Sequence, residues 1–541
     1  MVSILGMAGN RGRNLRNIHR LQPGDATLGA VLSNHADAPI LEFAAAHGIP
    51  AIAVEQHADE SRHEHEQRIV DAVADRDIDL VCLDGYMRVL SETFLDAMPT
   101  TLNVHPSLLP AFPGMDAWGD ALQAGVSVTG CTVHVVTPAI DSDGEPIESA
   151  VDSGPIVTQE PVPVYTDDTT DTLQDRVLYE AEFKAYPRAI EWIASDQTSV
   201  SDGDVTVDGD IDETFPRRHI TTTDRTDVLR YGENPHQSGA LYADTTVAEP
   251  NVVQADQLAG KGMSYVNVID AAGALDLVLE FEDPAVAIIK HANPAGCAIG
   301  DELSTAYDRA HTTDPMSAFG GIVALNRPCD HATAERIVDS VKHIVVAPGY
   351  EDGVLDRLAD RPDMRVLDVT NGDPRAIGPS DRSEEVVERS LIGGRLLQDR
   401  DDYQLGVNDL EVVTEREPTE TERRAMAFAW PVVKHAMSNA IVFASESETV
   451  GLGIGQVSRV DAVEIAGKKA REHADGKGPA GAVMASDAFF PFTDGIEAAA
   501  AAGINAVVQP GGSTRDDEVI AAADAHDMAM AFTGHRAFRH E

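Results

Sequence analysis

Asn103 and His105 stand two positions apart at the end of a short apolar run, within the stretch NVHPSLLP at 103–110. Alternation along a strand puts both side chains on one face, at the carboxyl end where α/β sheets bind ligands. An amide can hydrogen-bond a developing oxyanion, and an imidazole carries protons near neutral pH. A second pairing is Lys290 with His291, which close the apolar run 286–289 and lead into a Pro-Gly turn. Eight of the 41 cationic side chains are lysines. A lysine can lose its proton when desolvated and an arginine cannot, so each retained lysine points to acid–base work or a tight point-charge contact. Lys261 in GKGMSY and Lys434 in KHAMSN share that reading, whereas Lys184, Lys468, Lys469 and Lys477 sit in helical settings and read as chance retention. The stretch GNRGRN at 9–14 is a glycine-bearing turn between a strand and a helix, with Arg11 and Arg13 added. Free N–H groups at a helix start suit an anion. The pattern is neither GxGxxG nor Walker A, which favours a phosphate monoester; a tight turn with solvated arginines is the equal alternative.

These groups need a scaffold. The 541 residues allow three or four domains at about 150 residues each. Short apolar runs at 2–5, 28–32, 52–54, 80–83, 101–104, 132–136 and 155–164 alternate with amphipathic stretches at 40–47 and 65–74, the rhythm of a mostly parallel sheet with helices. Ser91 is placed to cap a further helix. After Trp192 the chain turns poor in large apolar residues and rich in Asp, Ser, Gly and Thr. We therefore expect a first domain at 1–195, an acidic linker or closing hairpin at 196–224, and a second α/β region at 225–541, with strands at 286–289, 322–325, 344–346, 440–443 and 506–508. The acidic stretch 349–388 suggests a subdomain junction.

Ninety acidic against 41 basic side chains leave a net charge of −49, which repels nucleic acid and anionic lipid and resembles the surfaces of proteins from salt-loving organisms. Cys82, Cys131, Cys297 and Cys329 form no CxxC pair, so neither a disulfide framework nor a zinc site is expected. The first residues are too short an apolar run for a signal peptide, and no run of eighteen apolar residues exists. A cytoplasmic protein without metal, membrane or nucleic-acid partner is expected.

The run 103–110, with AFPG at 111–114, GVSVTGCTVH at 125–134 and DSGPIVTQ at 152–159, resembles the phosphoribosylglycinamide formyltransferase family over residues 1–195. The resemblance implies a doubly wound, Rossmann-like α/β domain that takes formyl from 10-formyltetrahydrofolate. It places the catalytic triad on Asn103, His105 and Asp152, the phosphate loop on Gly12, Arg13 and Asn14, the folate loop on Met87, Arg88, Val89 and Leu90, and the carboxylate for the glycinamide amine on Glu182. Arg13 stands where the family has serine. The loop before Asp152 is longer than the family pattern, so Asp141 and Asp143 rival it; GPIVTQ after Asp152 favours that position.

LRYGENPHQ at 229–237, GKGMSY, KHANPAG at 290–296, DPMSAFGG at 314–321, KHAMSN at 434–439, GLGIGQVSR at 451–459, SDAFFPF at 486–492 and QPGGS at 509–513 resemble the transformylase half of the bifunctional purine-biosynthesis proteins over 225–541. This implies two similar subdomains of cytidine-deaminase type, a homodimer through this half, and formylation of aminoimidazole carboxamide ribonucleotide. Lys290 and His291 match the catalytic pair; Arg230, Tyr231, Asn439, Arg459, Phe489 and Arg536 match nucleotide-binding positions and Asp494 a folate-side one. The deaminase zinc signature is missing, and His343 stands where an acidic residue is common in the family. The usual cyclohydrolase domain is expected to be replaced by the glycinamide transformylase. Alternatives are a formyltetrahydrofolate hydrolase or a methionyl-tRNA formyltransferase for the first half, or a scaffold with one dead half.

Overall fold

Unbroken apolar runs such as SILGMA suit strands buried on both faces, and in the structure, a computed structural model, they form the centre of a seven-stranded sheet. All residues are described except 1, 141–146, 148–149, 202–203, 208–214, 216–217, 245 and 541. Asp141 and Asp143 thus lie outside the described residues. Contacts divide the chain into two units, Met1–Arg217 and Arg218–Glu541.

In the first unit the strands are β1 (Ser3–Ala8), β2 (Thr27–Ser33), β3 (Ala51–Ala53), β4 (Leu80–Asp84), β5 (Thr101–His105), β6 (Val128–Val135) and β7 (Ile156–Pro163). Their order is β3-β2-β1-β4-β5-β6-β7, parallel up to β5 and antiparallel at β6 and β7. The order reverses between β1 and β4, and the loops after these two strands diverge to leave a crevice at the carboxyl ends. The helices are α1 (Arg13–Leu21), α2 (Pro39–Ala46), α3 (Arg62–Val73), α4 (Glu92–Leu95), α5 (Ala117–Ala124), α6 (Thr170–Arg176) and α7 (Phe183–Ala194). Ile4 and Ala8 of β1 pack with α1, α2 and α7, and Leu5 and Met7 with α3 and α4, so both faces are covered. The Ser91 hydroxyl caps α4, accepting the Thr93 N–H at 3.2 Å. Thr198–Ser201 pairs with Asp204–Val207 as a small hairpin.

The second unit contains a duplication. One six-stranded sheet runs Asp256–Ala259, Arg365–Asp368, Lys342–Ala347, Gly321–Leu325, Ala285–Lys290, Asn293–Ile299; the other runs Glu411–Val412, Ala529–Phe532, Ala506–Gln509, Val483–Ser486, Ile441–Ala444, Thr449–Gly453. Each has the same succession of antiparallel, parallel, parallel, antiparallel and antiparallel pairs. Helices Tyr265–Val278 and Glu420–Lys434 contribute to one core with a face of each sheet. Strand alternation explains the layering: Ala285, Ala287 and Ile289 join that shared core, while Val286 and Ile288 pack outward. The stretch 349–388 is not the junction expected, because Arg365–Asp368 is still a strand of the first sheet. Buried charged ends on that strand hide it in an acidic context. The connection to the second sheet follows, through the hairpin Val386–Leu391 with Gly394–Asp399. The strands Val483–Ser486 and Ala529–Phe532 have the sequences VMAS and AMAF, too poor in β-branched residues to be read as strands.

The charge of −49 predicts a salt response. The screening length falls from about 10 Å at 0.1 M to about 3 Å at 1 M salt, so like-charge repulsion shrinks. The melting temperature is expected to rise by about 5 °C or more between 0.1 M and 2 M potassium chloride. An unchanged melting temperature across that range rejects the repulsion argument.

Candidate active sites

The carboxyl ends of β1, β4 and β5 open onto a cavity of about 590 Å³. Gly12 and Arg13, Met87 through Leu90, Asn103, His105, Asp152 and Glu182 all line it, and Asn14 reaches it through Glu182. Gly12 has a left-handed backbone, φ 57°, and a Cβ there would come within 2.6 Å of the Ile40 side chain, so only glycine fits the turn into α1. In the 87–90 loop, Leu90 is buried as an anchor while Met87 is 67% exposed at the rim. Arg62 donates to the Val89 carbonyl at 2.7 Å and fixes the loop.

Asn103 and His105 project from β5 as alternation requires. His105 Nδ1 is 3.1 Å from Asp152 Oδ2, and the same oxygen accepts the Gly114 N–H at 3.1 Å. Burial raises the Asp152 pKa, but hydrogen bonds with His105 and His134 and the Gly114 N–H outweigh it and hold the carboxyl well below its usual range. The carboxylate therefore stays ionised to orient the imidazole. His105 Nε2 lies 2.9 Å from the Phe112 carbonyl. His134, opposite Asn103 in register, has Nε2 3.2 Å from Asn103 Nδ2 and 3.6 Å from Asp152 Oδ1, with Nδ1 3.1 Å from the Val135 carbonyl. As a neutral ring it accepts from the Asn103 amide; protonated, it turns the same nitrogen on Asp152. The sequence reading gave His134 no role, although the antiparallel return of β6 could have suggested it.

Glu182 ends a π-helical turn, Val177–Glu182, between α6 and α7; such widened turns recur at functional sites. Its Oε2 accepts from Asn14 Nδ2 at 2.6 Å. Burial pushes its pKa up to about 7, opposed by the Asn14 hydrogen bond and reinforced by the charge of Asp84. Asp84, also missed, takes the Asn14 N–H at 2.8 Å, the Leu15 N–H at 3.3 Å and Asn14 Nδ2 at 3.2 Å, and burial raises its pKa too. It ties the start of α1 to the end of β4. The available signal was a carboxylate followed by glycine at the end of an apolar run.

In the second unit Lys290 ends its strand and donates from Nζ to the Phe319 carbonyl at 2.7 Å. Partial burial, with Arg365 and Lys290 nearby, holds His343 below its ordinary pKa. Beyond Lys290, Asn293 Oδ1 accepts the Met437 N–H at 3.1 Å and links this turn to the segment before Asn439. Asn439 Oδ1 accepts from Arg459 at 2.7 Å, and Arg459 is paired with buried Asp487. Arg230 and Tyr231 are pinned to the loop before Tyr265–Val278, with the Arg230 guanidinium 5.5 Å from the Tyr231 ring centre. Phe489 is 38% exposed, Asp494 starts a helix, and the Arg536 guanidinium lies over Phe538. Among the described residues no hydrogen bond or ion pair joins Arg230, Phe489, Asp494 or Arg536 to Lys290. Lys434, read as a chemistry candidate, is instead buried in a network: it pairs with Glu280 at 2.9 Å and donates to the carbonyls of Asp401 and Tyr403. His435 and Arg382 meet the same carboxylate.

Residues 3–190 match the family model described as Formyl transferase, and residues 172–469 match that described as AICARFT/IMPCHase bienzyme. Over 333 residues, 60% of its length, the chain is 50% identical to the bifunctional purine biosynthesis protein PurH of Magnetococcus marinus, and it spans 62% of that protein. Glycinamide ribonucleotide transformylase 1 from Symbiobacterium toebii is 37% identical, with a TM-score of 0.35, over 38% of this chain and 94% of that one. Phosphoribosylglycinamide formyltransferase from Anaplasma phagocytophilum is 34% identical, with a TM-score of 0.34, over 39% and 95%.

Proposed function

The chain belongs to the AICARFT/IMPCHase bienzyme family, and we propose that it performs two formyl transfers of purine nucleotide synthesis, from 10-formyltetrahydrofolate to glycinamide ribonucleotide in the first unit and to aminoimidazole carboxamide ribonucleotide in the second. The observation that carries the first assignment is Asn103, His105 and Asp152 converging beside Glu182 in one cavity. Transfer begins when the glycinamide amine attacks the formyl carbon. The carbonyl oxygen becomes an oxyanion, met by the Asn103 amide N–H. His105, held at Nδ1 by Asp152, exchanges its Nε2 contact with the Phe112 carbonyl for the reacting groups. It takes the proton leaving the amine and returns one to the folate nitrogen as the tetrahedral adduct collapses. Glu182 accepts from the substrate's amine, and the N–H groups of Gly12 and Arg13 with the Arg13 guanidinium meet its phosphate. Asn14 supports this loop, since its N–H is committed to Asp84. The folate lies against Met87, Arg88, Val89 and Leu90.

In the second unit His291 receives the proton from the weakly nucleophilic ring amine, and Lys290 faces the formyl oxygen. Arg230, Tyr231, Asn439, Arg459, Phe489 and Arg536 bind the nucleotide, and Asp494 the folate. The protein forms a homodimer through this unit. The protein works in the cytoplasm on small molecules. No helix among the described residues is long and apolar enough to cross a membrane.

Assaying each purified ribonucleotide separately with 10-formyltetrahydrofolate tests the reading: both are expected to be formylated, and the formylated carboxamide to accumulate without ring closure. Failure of either transfer, or release of the closed ring, rejects the corresponding part.

Glu182 supplies a pH test. A buried carboxyl with its pKa raised from 4.5 to about 7 stabilises the fold while protonated, and that contribution is lost as pH rises through about 7. Glu182→Gln removes this loss, so its unfolding free energy from urea titration is expected to gain on wild type between pH 5.5 and pH 8, by up to about 2 kcal/mol. Its KM for glycinamide ribonucleotide should rise. A constant difference in unfolding free energy across this range rejects the titration.

A further inference from the structure

The strands Ala285–Lys290 and Asn293–Ile299 are joined by a two-residue turn in which His291, φ 54°, and Ala292, φ 59°, both have a left-handed backbone. Turns of this kind favour Asn-Gly or Gly-Gly, because L side chains crowd the backbone there. Here histidine and alanine occupy both positions, so something must hold them. Asp270, 7% exposed on the helix Tyr265–Val278, does so. Its Oδ1 accepts the Ala292 N–H at 2.7 Å and its Oδ2 the His291 N–H at 3.3 Å. A carboxylate has an oxygen for each donor, whereas an amide must turn its NH₂ on one of them. From the other side Asn293 Nδ2 donates to the His291 carbonyl at 3.0 Å. The backbone is clamped, and the His291 side chain is exposed. Strained conformations that surrounding structure enforces cluster at functional sites.

We propose that Asp270 is a positioning residue for formylation of the carboxamide ribonucleotide, holding the His291–Ala292 turn left-handed so that Lys290 and His291 are aimed together. This rests on Lys290 and His291 being the catalytic pair. The flanking strands keep their own ladders, Ala285–Lys290 with strands on both sides, so loss of the clamp frees the turn without dissolving the sheet.

Asp270→Asn is expected to lower kcat for the carboxamide substrate about 10- to 50-fold, the scale of a misplacement below 1 Å, with KM changed less than about threefold and glycinamide formylation in the same protein unchanged. Adding Ala292→Gly, which takes the left-handed backbone without crowding, should restore kcat to within about threefold of wild type. Wild-type kcat in Asp270→Asn, or a loss that Ala292→Gly does not repair in folded protein, overturns the proposal. Should Asp270→Asn fail to fold, Ala292→Val keeps Asp270 but puts a β-branched side chain at the strained position. It is expected to lose kcat similarly, and full kcat there is equally fatal. His291→Ala separates the two levels. If it retains carboxamide formylation, the catalytic assignment fails; if it abolishes the reaction while Asp270→Asn is fully active, the positioning role alone fails.

Discussion

His105→Ala is expected to lower formylation of glycinamide ribonucleotide by about 1,000-fold or more, within the range of a lost general acid–base group, and to leave formylation of the carboxamide ribonucleotide within about twofold of wild type. His105 is buried with Nδ1 on Asp152, it lines the cavity, and its Nε2 lies at the Phe112 carbonyl. Alanine leaves no proton acceptor at that point. His134 does not substitute, because its Nδ1 is held at the Val135 carbonyl and its Nε2 between Asn103 and Asp152. In the proposed function the carboxamide chemistry is assigned to the other compact unit, Arg218–Glu541, with Lys290 and His291 as its own pair. Parallel loss of both activities in protein with an unchanged circular dichroism spectrum and melting temperature excludes two independent sites.

Lys290→Arg is expected to cut turnover of the carboxamide ribonucleotide by at least about 100-fold, the scale of one acid–base or oxyanion contact, with glycinamide formylation unchanged. The ammonium is a compact point charge placed 2.7 Å from the Phe319 carbonyl at the end of its strand. A guanidinium is planar, larger and permanently charged, and His343 and Arg365 already crowd this corner with cationic or ionisable groups. The larger, planar group would displace the nucleotide and could not place a compact charge at the same point. If Lys290 were only a phosphate-facing charge, arginine would preserve kcat and shift KM alone. That split in a steady-state assay rejects the catalytic role.

Strand alternation and turn chemistry are local, and the sequence alone determined what they govern: Asn103 and His105 on one face at a strand end, a glycine turn opening α1, and Lys290 with His291 at the end of an apolar run. Apolar runs uninterrupted by charge likewise marked the parallel strands of the first unit. The tertiary structure decided which distant groups complete these sites. Asn14 meets Glu182 across 168 positions and Asp84 across 70, because the strand order sets β4 beside β1 while the turn after α6, packed on β6 and β7, brings Glu182 to the start of α1. Asp270 meets the His291 turn only because its helix packs on that strand, and its helical setting showed nothing of this. Lys434 had the same local signature as Lys290, yet the fold buries it against Glu280. A lysine's role depends on which carboxylates and carbonyls surround it, and that is fixed by contacts between elements far apart in the chain, which no local periodicity encodes.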